Sequence, residues 1–380
     1  MKSLRFAQHL GTRIILAVVF VLPLIAGFSN PVAADNGDGS SGAVYTMTNA
    51  ASGNEVLVFR RSANGSLSMP DSYPTDGLGS GAGLGSQGSI ALSHNGRWLF
   101  AVNAGSNDIS VFAVKGRRLN LIDVVGSGGE MPISLTVHDQ WLYVLNAGGS
   151  GNISGFRIRE NGSLVPLDGS TQPLSNGGAG DSPMPAQIAF DPEGEILVVT
   201  EKATNLIDVY RVRRGIAGPP RTNDSAGITP FGFVFDPSGH LIVSEAFGGE
   251  PGASAVSSYK LDDREVNVIS PSVGTTQTAA CWVVISKNGK YAYDTNTGSS
   301  SISSFAIGKD GSLTLLDPQA GLTGEGSSPS DMALSNNGRF LYALSGGTST
   351  ISIFRVLSDG SLDHRGEVSV PEGSVGLTAR

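Results

Sequence analysis

The sequence has too few cysteines for a disulfide, and it lacks the common catalytic and metal-binding motifs. It has one cysteine, Cys281, so no internal disulfide can form. It lacks GxSxG, HExxH, a GxGxxG that opens a helix and any Cys/His spacing typical of a metal site. We therefore expect no metal and no cofactor. We also expect the hydrophobic core, rather than disulfides, to stabilise the fold.

Long apolar runs are absent except near the beginning of the sequence. Three basic residues precede an apolar run over residues 14–28, and small residues follow at 32–34. This order is typical of a secretory signal peptide, and the run is short for a membrane span. We predict a signal peptide over residues 1–34, a secreted or periplasmic mature chain, and no membrane span once the signal is removed.

Charged residues are sparse at 15%, and negative charge dominates, with a formal net charge of −8. Removal of the three basic residues of the signal makes the mature chain more acidic still. An acidic surface disfavours nucleic acids and anionic membranes as partners. We expect a monomer whose partner is a small molecule rather than a nucleic acid.

Glycine is abundant, with 52 residues that separate short apolar runs. Residues 330–368 show the pattern most clearly, with three apolar runs followed by a weaker fourth. Asn337-Gly338 and Asp359-Gly360 are strong hairpin signals, because both central residues of a tight primed turn need positive φ. The stretch predicts four antiparallel strands, called a, b, c and d.

The signature of an a-strand, a hairpin and a b-strand occurs six times. The hairpins end every 44 to 54 residues, which fits four strands per unit, at Gly96, Gln140, Gly194, Gly239, Gly289 and Gly338. Residues 44–67 supply only b, c and d strands, with the d-strand predicted at 64–67, and residues 374–377 supply only an a-strand. We predict an all-β, seven-bladed β-propeller over residues 35–380, closed by N- and C-terminal strands in one blade.

The strand order sorts the polar residues between the two faces of the ring. One face collects the b-strand ends and the a-strand starts, whereas His94, His138 and His240 fall in a–b hairpins on the other. A general base at the first face would therefore be a carboxylate. The predicted catalytic residues are Glu245 and Glu201. The predicted substrate-binding residues are Asn103, Asn146, Gln187, Asp294, Asn296 and Asp331.

Two alternatives stay open for these residues and for the loops around them. Asn and Glu at strand ends also cap strands and bond loop backbone, which needs no ligand. The loops over residues 167–184 and 245–253 are longer than is usual for a blade connection. Long loops often lie over a binding face, but they are also simply tolerated on a surface.

The repeats resemble the lactonase-type seven-bladed propellers, which include 6-phosphogluconolactonases and 3-carboxymuconate lactonising enzymes. The resemblance rests on IALSHNGRWLFAVN, VVISKNGKYAYDTN, MALSNNGRFLYALS and the GSL hairpins. YDTN and YVLN are also similar to YVTN-type propellers. The resemblance implies lactone chemistry, with an acidic residue at the position of Glu245 and an analogous one at Glu201.

The chain departs from that family where the family carries His or Arg at a-strand starts. Here those places read Met184-Pro185-Ala186-Gln187, Thr229-Pro230-Phe231-Gly232 and Pro329-Ser330-Asp331. The missing basic residues disfavour phosphorylated and carboxylated substrates. Two hypotheses follow: a lactonase-like enzyme acting on a small polar or sugar-derived lactone, and a non-catalytic extracytoplasmic propeller that binds a glycan or a protein.

Overall fold

In a computed structural model the chain is described over residues 41–380, and the predicted signal peptide lies outside this range. The first strands are β1 (Gly42–Met47), β2 (Glu55–Arg61), β3 (Asp71–Pro74), β4 (Ile90–Leu92), β5 (Trp98–Asn103), β6 (Asp108–Lys115), β7 (Arg118–Gly126), β8 (Pro132–His138), β9 (Trp141–Asn146), β10 (Asn152–Ile158), β11 (Leu164–Pro166), β12 (Gln172–Pro173), β13 (Pro185–Phe190), β14 (Ile196–Glu201), β15 (Leu206–Arg213), β16 (Ile216–Ala217) and β17 (Arg221–Asp224). The remaining strands are β18 (Pro230–Phe235), β19 (His240–Glu245), β20 (Ala255–Asp262), β21 (Glu265–Gly274), β22 (Ala280–Ile285), β23 (Tyr291–Asn296), β24 (Ser301–Ile307), β25 (Leu313–Leu322), β26 (Pro329–Leu334), β27 (Phe340–Ser345), β28 (Thr350–Val356), β29 (Leu362–Ser369) and β30 (Val375–Ala379).

These strands form seven antiparallel sheets, which confirms the predicted seven-bladed propeller. Blades 1 to 6 are β4–β7, β8–β12, β13–β17, β18–β21, β22–β25 and β26–β29. The fourth strand is split in two in blades 2 and 3. Blade 7 has the order β3-β2-β1-β30 and so combines both ends of the described chain. Its fourth strand, β3, follows the predicted position 64–67, where only an isolated bridge joins Arg61 and Leu67.

The closing strand β30 is held on both of its edges. It pairs with β1, with Val44 opposite Ala379 and Tyr45 opposite Thr378. On its other side, the amide of Leu377 donates to Asp331 Oδ2 of blade 6 over 3.0 Å. Ring closure therefore joins three segments that are distant in sequence.

The hairpins at Asn337-Gly338 and Asp359-Gly360 form where the sequence predicts them but with a different turn. Only the glycine of each pair has a positive φ, 68° at Gly338 and 86° at Gly360. The amide of Gly338 donates to Ser335 O, and Asn337 Oδ1 accepts from the amide of Arg339 over 3.2 Å. The expectation of two positive φ angles was wrong, because the Asn side chain bonds the loop backbone and only the glycine is left-handed.

The hydrophobic core lies between neighbouring blades, and tyrosines of the b-strands reinforce three of the seams. The hydroxyl of Tyr143 donates to Gly215 O in the next blade, over 2.9 Å. The same contact joins Tyr293 to Gly360 O and Tyr342 to Gly65 O. Each carbonyl belongs to a c–d hairpin, so a buried hydroxyl positions the outer edge of the adjacent blade.

Helical structure among residues 41–380 is limited to two 3-10 turns, Phe247–Gly249 and Thr297–Ser299. Within this part of the chain, no helix has the length and apolar character needed to cross a bilayer.

Candidate functional site

Five of the predicted site residues occupy the same position in five different blades. Each is the last residue of its b-strand and has no exposed surface: Asn103, Asn146, Glu201, Glu245 and Asn296. Their side chains bond the c- or d-strand of their own blade, the b–c loop or the loop that enters the blade, and Asn103 also bonds Asn54 of blade 7. The sequence therefore located their face of the ring correctly. The structure, however, does not bring them together around the central opening of that face, which we call the mouth.

Glu245 is buried at the end of β19 and its carboxylate accepts hydrogen bonds from four groups. The donors are Ser257 Oγ at 2.5 Å, Ser272 Oγ at 2.7 Å, the amide of Gly227 at 2.9 Å and Tyr259 OH at 3.3 Å. Burial raises the pKa of Glu245, and these hydrogen bonds oppose the rise. The carboxylate ties a b-strand to its c- and d-strands and has no contact with solvent.

Glu201 makes a similar network at the end of β14. It accepts from Ser175, through both the amide at 3.0 Å and Oγ at 2.5 Å, and from Thr204 Oγ1 at 2.6 Å. Asp208 of the c-strand lies beside it, and burial followed by the charge of Glu201 raises the pKa of Asp208 to about 9. Because Ser175 belongs to the 167–184 loop, part of that loop stabilises the end of β14 in blade 3.

The three asparagines bond mainly the c-strands of their own blades, and Asn103 also bonds blade 7. Asn103 Nδ2 donates to Asp108 Oδ1 and Ser110 Oγ, and its Oδ1 accepts from Asn54 Nδ2 over 2.9 Å. Asn146 Nδ2 donates to Asn152 Oδ1 over 2.8 Å. Their geometry matches the capping alternative that the sequence left open.

Asn296 Nδ2 donates to Ser303 Oγ of the same blade over 2.9 Å. The Oδ1 atoms of Asn146 and Asn296 have no hydrogen-bond partner among the described residues. Both side chains are fully buried, so these two oxygens do not face an open binding surface.

The other three predicted residues lie deeper in the ring. Gln187 bridges two a-strands, since its Nε2 donates to Phe233 O over 2.9 Å and its Oε1 accepts the amide of Phe233 over 2.7 Å. Asp331 holds the closing strand, and burial raises its pKa well above the ordinary value. Burial also raises the pKa of Asp294, whose two carboxyl oxygens have no hydrogen-bond partner among residues 41–380.

The centre of the mouth is filled by a segment that the sequence analysis missed, residues 75–89, which we call the plug loop. It leaves blade 7 and reaches across the ring to blade 5. There Gln87 Nε2 donates to Val283 O over 3.0 Å, and Trp282 Nε1 donates to Ser86 O over 3.0 Å. A side chain at Gly232 would collide with Gln87, because a Cβ there would lie 2.2 Å from Oε1.

The plug loop also bonds blades 2 and 3. Ser134 Oγ donates to Gln87 O over 2.6 Å, and the amide of Gln87 donates to Ala186 O over 3.2 Å. Blades 2, 3 and 5 therefore all bond the plug loop at Ser86 or Gln87. The glycine-rich sequence of the loop, GLGSGAGLGSQGS, nevertheless carries no strand or helix periodicity. Its unusual length between a d-strand and an a-strand was the available signal.

Beneath the plug loop lies a group we call the mouth cluster: Lys202, Phe231, Cys281 and Trp282. The Phe231 and Trp282 rings are 4.9 Å apart, and Lys202 Nζ lies 4.7 Å from the centre of the Phe231 ring. Lys202 Nζ donates to Gly85 O of the plug loop over 2.6 Å. Burial lowers the pKa of Lys202 to about 8, and burial raises the pKa of the Cys281 thiol to about 12.

The mouth cluster places an aromatic surface next to an amine whose pKa burial lowers to about 8, so the amine is partly neutral near that pH. The sequence reasoning missed Lys202 because it considered only b-strand ends and a-strand starts, and Lys202 follows a b-strand end by one residue. The cluster contains no histidine. Among the described residues, no group of three His, Cys, Asp or Glu side chains could hold a metal ion.

Histidines lie away from the mouth cluster, as the sorting by face predicts. His240 begins β19 and bonds Asp236 through Nδ1 at 2.8 Å, so it is less exposed than a turn residue would be. His138 ends β8, with Nε2 3.2 Å from Pro192 O.

Comparisons with known proteins agree with this architecture. The family model described as lactonase, 7-bladed beta-propeller matches residues 42–173 and 246–379. A crystal structure of a protein from Lactobacillus plantarum has a TM-score of 0.72 at 20% identity, covering 90% of this chain and 99% of that one. No curated protein sequence matches the chain.

Two further solved structures carry functional names. A proposed 6-phosphogluconolactonase from Bacteroides uniformis has a TM-score of 0.70 at 19% identity, covering 90% of this chain and 99% of that one. The periplasmic gluconolactonase of Pseudomonas aeruginosa has a TM-score of 0.67 at 17% identity, again covering 90% and 99%. At these identities the likeness establishes the fold alone.

Proposed function

The chain belongs to the lactonase family of seven-bladed β-propellers, and on that premise we propose that it hydrolyses a small, neutral, polar or sugar-derived lactone at the mouth cluster. The observation that carries the proposal is Lys202, an amine whose pKa burial lowers to about 8 and which lies over an aromatic surface. A general base works best when its pKa is near the working pH. The lactone chemistry itself rests on the family.

In this proposal the neutral amine of Lys202 removes a proton from water as the water oxygen bonds the lactone carbonyl carbon. The ring C–O bond then breaks, and the ammonium returns the proton to the departing alkoxide oxygen. Water and lactone give one hydroxy acid, and no redox partner is needed. The aromatic faces of Phe231 and Trp282 pack against the apolar face of the lactone ring.

The plug loop has to shift before a lactone can reach Lys202, because Gly85 O occupies its nitrogen. Glycines at alternating positions make such a shift easy for the backbone. A substrate carbonyl that replaces Gly85 O would keep the donor of Lys202 satisfied. The lactone would then take the place of the plug loop over Lys202, so the amine would stay buried and its pKa would stay lowered.

Glu245 and Glu201, predicted from the sequence as water-activating bases, take structural roles in this proposal. Their carboxylates each accept at least three hydrogen bonds from their surroundings. Neither residue has exposed surface. A base that must exchange protons with water needs access that these two carboxylates lack.

We further propose that the protein works outside the cytoplasm. The predicted signal peptide over residues 1–34 supports this location, and the periplasmic gluconolactonase of Pseudomonas aeruginosa is a compatible structural neighbour. The absence of cysteine pairs does not oppose secretion, because the propeller buries its core between seven blades.

A panel of neutral lactones, assayed by acid release, tests the proposed activity. Wild-type protein should hydrolyse at least one of them, and Lys202→Met should lose turnover. Lys260→Met is the matched control, because Lys260 is an exposed lysine on β20. Absence of turnover in the wild type, or full turnover in Lys202→Met, overturns the proposal.

The rival function is a non-catalytic binding propeller for a glycan or protein, and the closed plug loop favours it. In that case the lactones would not be turned over, and binding would depend on exposed loops. The tip of the long loop, residues 176–182, can be shortened without touching Ser175, which braces Glu201. Glycan or protein binding that is lost on shortening this tip, with no turnover, would support the rival.

A further inference from the structure

A cavity lies on the face of the ring opposite the mouth, at the seam between blades 7 and 1. Its volume is about 630 Å³. It is bordered by the beginning of β1, the end of β2 and the c–d hairpin of blade 1. Its polar lining is dominated by five basic residues: Arg61, Lys115, Arg117, Arg118 and Arg380.

The charge of this cavity is opposite to that of the protein. The five basic residues are one fifth of the 25 Lys and Arg in a chain of net charge −8. No Asp or Glu side chain from the described part of the chain lines the cavity. Like charges held together repel one another, so the cavity attracts an anion.

Arg61 gives a second and independent indication of a ligand. Its side chain is buried, with 1% of the residue exposed, yet it lines the cavity. Its Nε and Nη2 atoms each lie 3.5 Å from Arg380 O, and Nη1 has no hydrogen-bond partner within residues 41–380. A buried guanidinium nitrogen without an acceptor is unfavourable, and an anionic oxygen in the cavity would satisfy it.

The seam itself differs from three others in the ring. At three other seams, a buried tyrosine hydroxyl donates to a carbonyl in the c–d hairpin of the next blade. These tyrosines are Tyr143, Tyr293 and Tyr342. At the seam of blades 7 and 1, the carbonyl of Gly116 accepts from the Arg380 guanidinium instead. This replacement brings a cation to a position that a neutral phenol occupies elsewhere.

We propose that this cavity binds a small molecule that carries a phosphate or a similar oxyanion. The planar donors of arginine match the oxygens of such a group two at a time. The volume leaves room for a sugar-sized remainder beside the anionic group. The site is separate from the mouth cluster, so it neither requires nor excludes the proposed lactone hydrolysis.

Isothermal titration at low and constant ionic strength tests the site with glucose 6-phosphate, glucose 6-sulfate, inorganic pyrophosphate and glucose. Wild-type protein should bind the charged compounds and not glucose. The variant Arg117→Ser with Arg118→Ser changes two exposed residues, so the buried Arg61 stays in place. Loss of charge-assisted hydrogen bonds should weaken binding about tenfold or more.

The matched control is Arg157→Ser with Arg159→Ser, which removes two exposed charges from blade 2 and should bind as the wild type does.

Equal affinity for the phosphate and sulfate esters supports a general oxyanion site, and preference for the phosphate ester supports a phosphate site. Failure of every charged compound to bind overturns the proposal. Equal binding by wild type and the Arg117/Arg118 variant also overturns it. Lactone hydrolysis by that variant is measured in parallel, so failure here is distinguishable from failure of the proposed activity.

Discussion

Lys202 Nζ lies 2.6 Å from the main-chain oxygen of Gly85, so one hydrogen bond joins the candidate base to the loop that covers it. The two residues come from different blade connections that are distant in sequence. A side chain at position 85 would crowd the amine, because a Cβ on Gly85 would lie 3.3 Å from Lys202 Nζ. Burial of the amine lowers its pKa, and the same contact ties the plug loop over it.

Trp282→Phe should loosen the plug loop. The indole nitrogen donates to Ser86 O, and phenylalanine keeps the aromatic packing but not that donor. Hydrogen exchange at the Gln87 amide should become faster by about five- to tenfold, as expected for the loss of one hydrogen bond of about 1 kcal/mol. Trp98→Phe in blade 1 is the control, and equal exchange in both variants would show that the indole does not hold the plug loop.

Glu245→Gln should destabilise the protein without selectively removing activity. The amide group would direct two N–H donors at groups that now donate to the carboxylate. Unsatisfied buried donors cost about 1 to 3 kcal/mol each, so the urea midpoint should fall markedly. If Glu245 were the base, the fraction of the variant that remains folded would lose turnover altogether.

Asp208 should make stability depend on pH. Burial and the nearby charge of Glu201 raise its pKa from 3.8 to about 9, so over that range the folded chain holds a proton that the unfolded chain releases. This contribution is present at low pH and is lost as pH rises through the folded pKa.

Asp208→Asn should therefore flatten the decline in stability between about pH 5 and about pH 9, by about 1 kcal/mol or more. Urea unfolding at several pH values measures the effect. Asp168→Asn, at an exposed position, should retain the slope of the wild type. A variant at position 208 with an unchanged slope would mean that Asp208 is ionised in the folded protein.

Removal of residues 371–380 should sharply lower the melting temperature, because β30 supplies the a-strand of blade 7. A milder version is Asp331→Ala, which removes the acceptor for the Leu377 amide and should cost about 1 to 3 kcal/mol. Thermal unfolding measures both. A melting temperature that survives the deletion would contradict closure through this strand.

Much of the fold could be predicted because its signals are local. Alternating apolar runs and glycine turns such as Asn337-Gly338 mark each hairpin, and their spacing gives the number of blades. The complementary strands at the two ends then require closure. The type of turn was missed because an asparagine side chain can satisfy loop backbone without a positive φ of its own.

The site was less predictable, because a strand end tells which face of the ring a residue reaches but not which way its side chain points. Thr200 donates to Phe231 O of blade 4, whereas the next residue, Glu201, turns to Ser175 on the other side. The plug loop has no periodicity, so its path across the ring is set by tertiary contacts alone. Lys202 could be recognised only once Gly85 was in place.

The pH dependence of lactone hydrolysis tests the central claim most directly. With the spontaneous rate subtracted, wild-type kcat should rise to a plateau with a midpoint near the Lys202 pKa of about 8, Lys202→Met should lose the activity, and Lys260→Met should retain the whole profile. A profile without this midpoint, or a Lys202→Met variant that hydrolyses lactones at the wild-type rate, would contradict the assignment of Lys202 as the base.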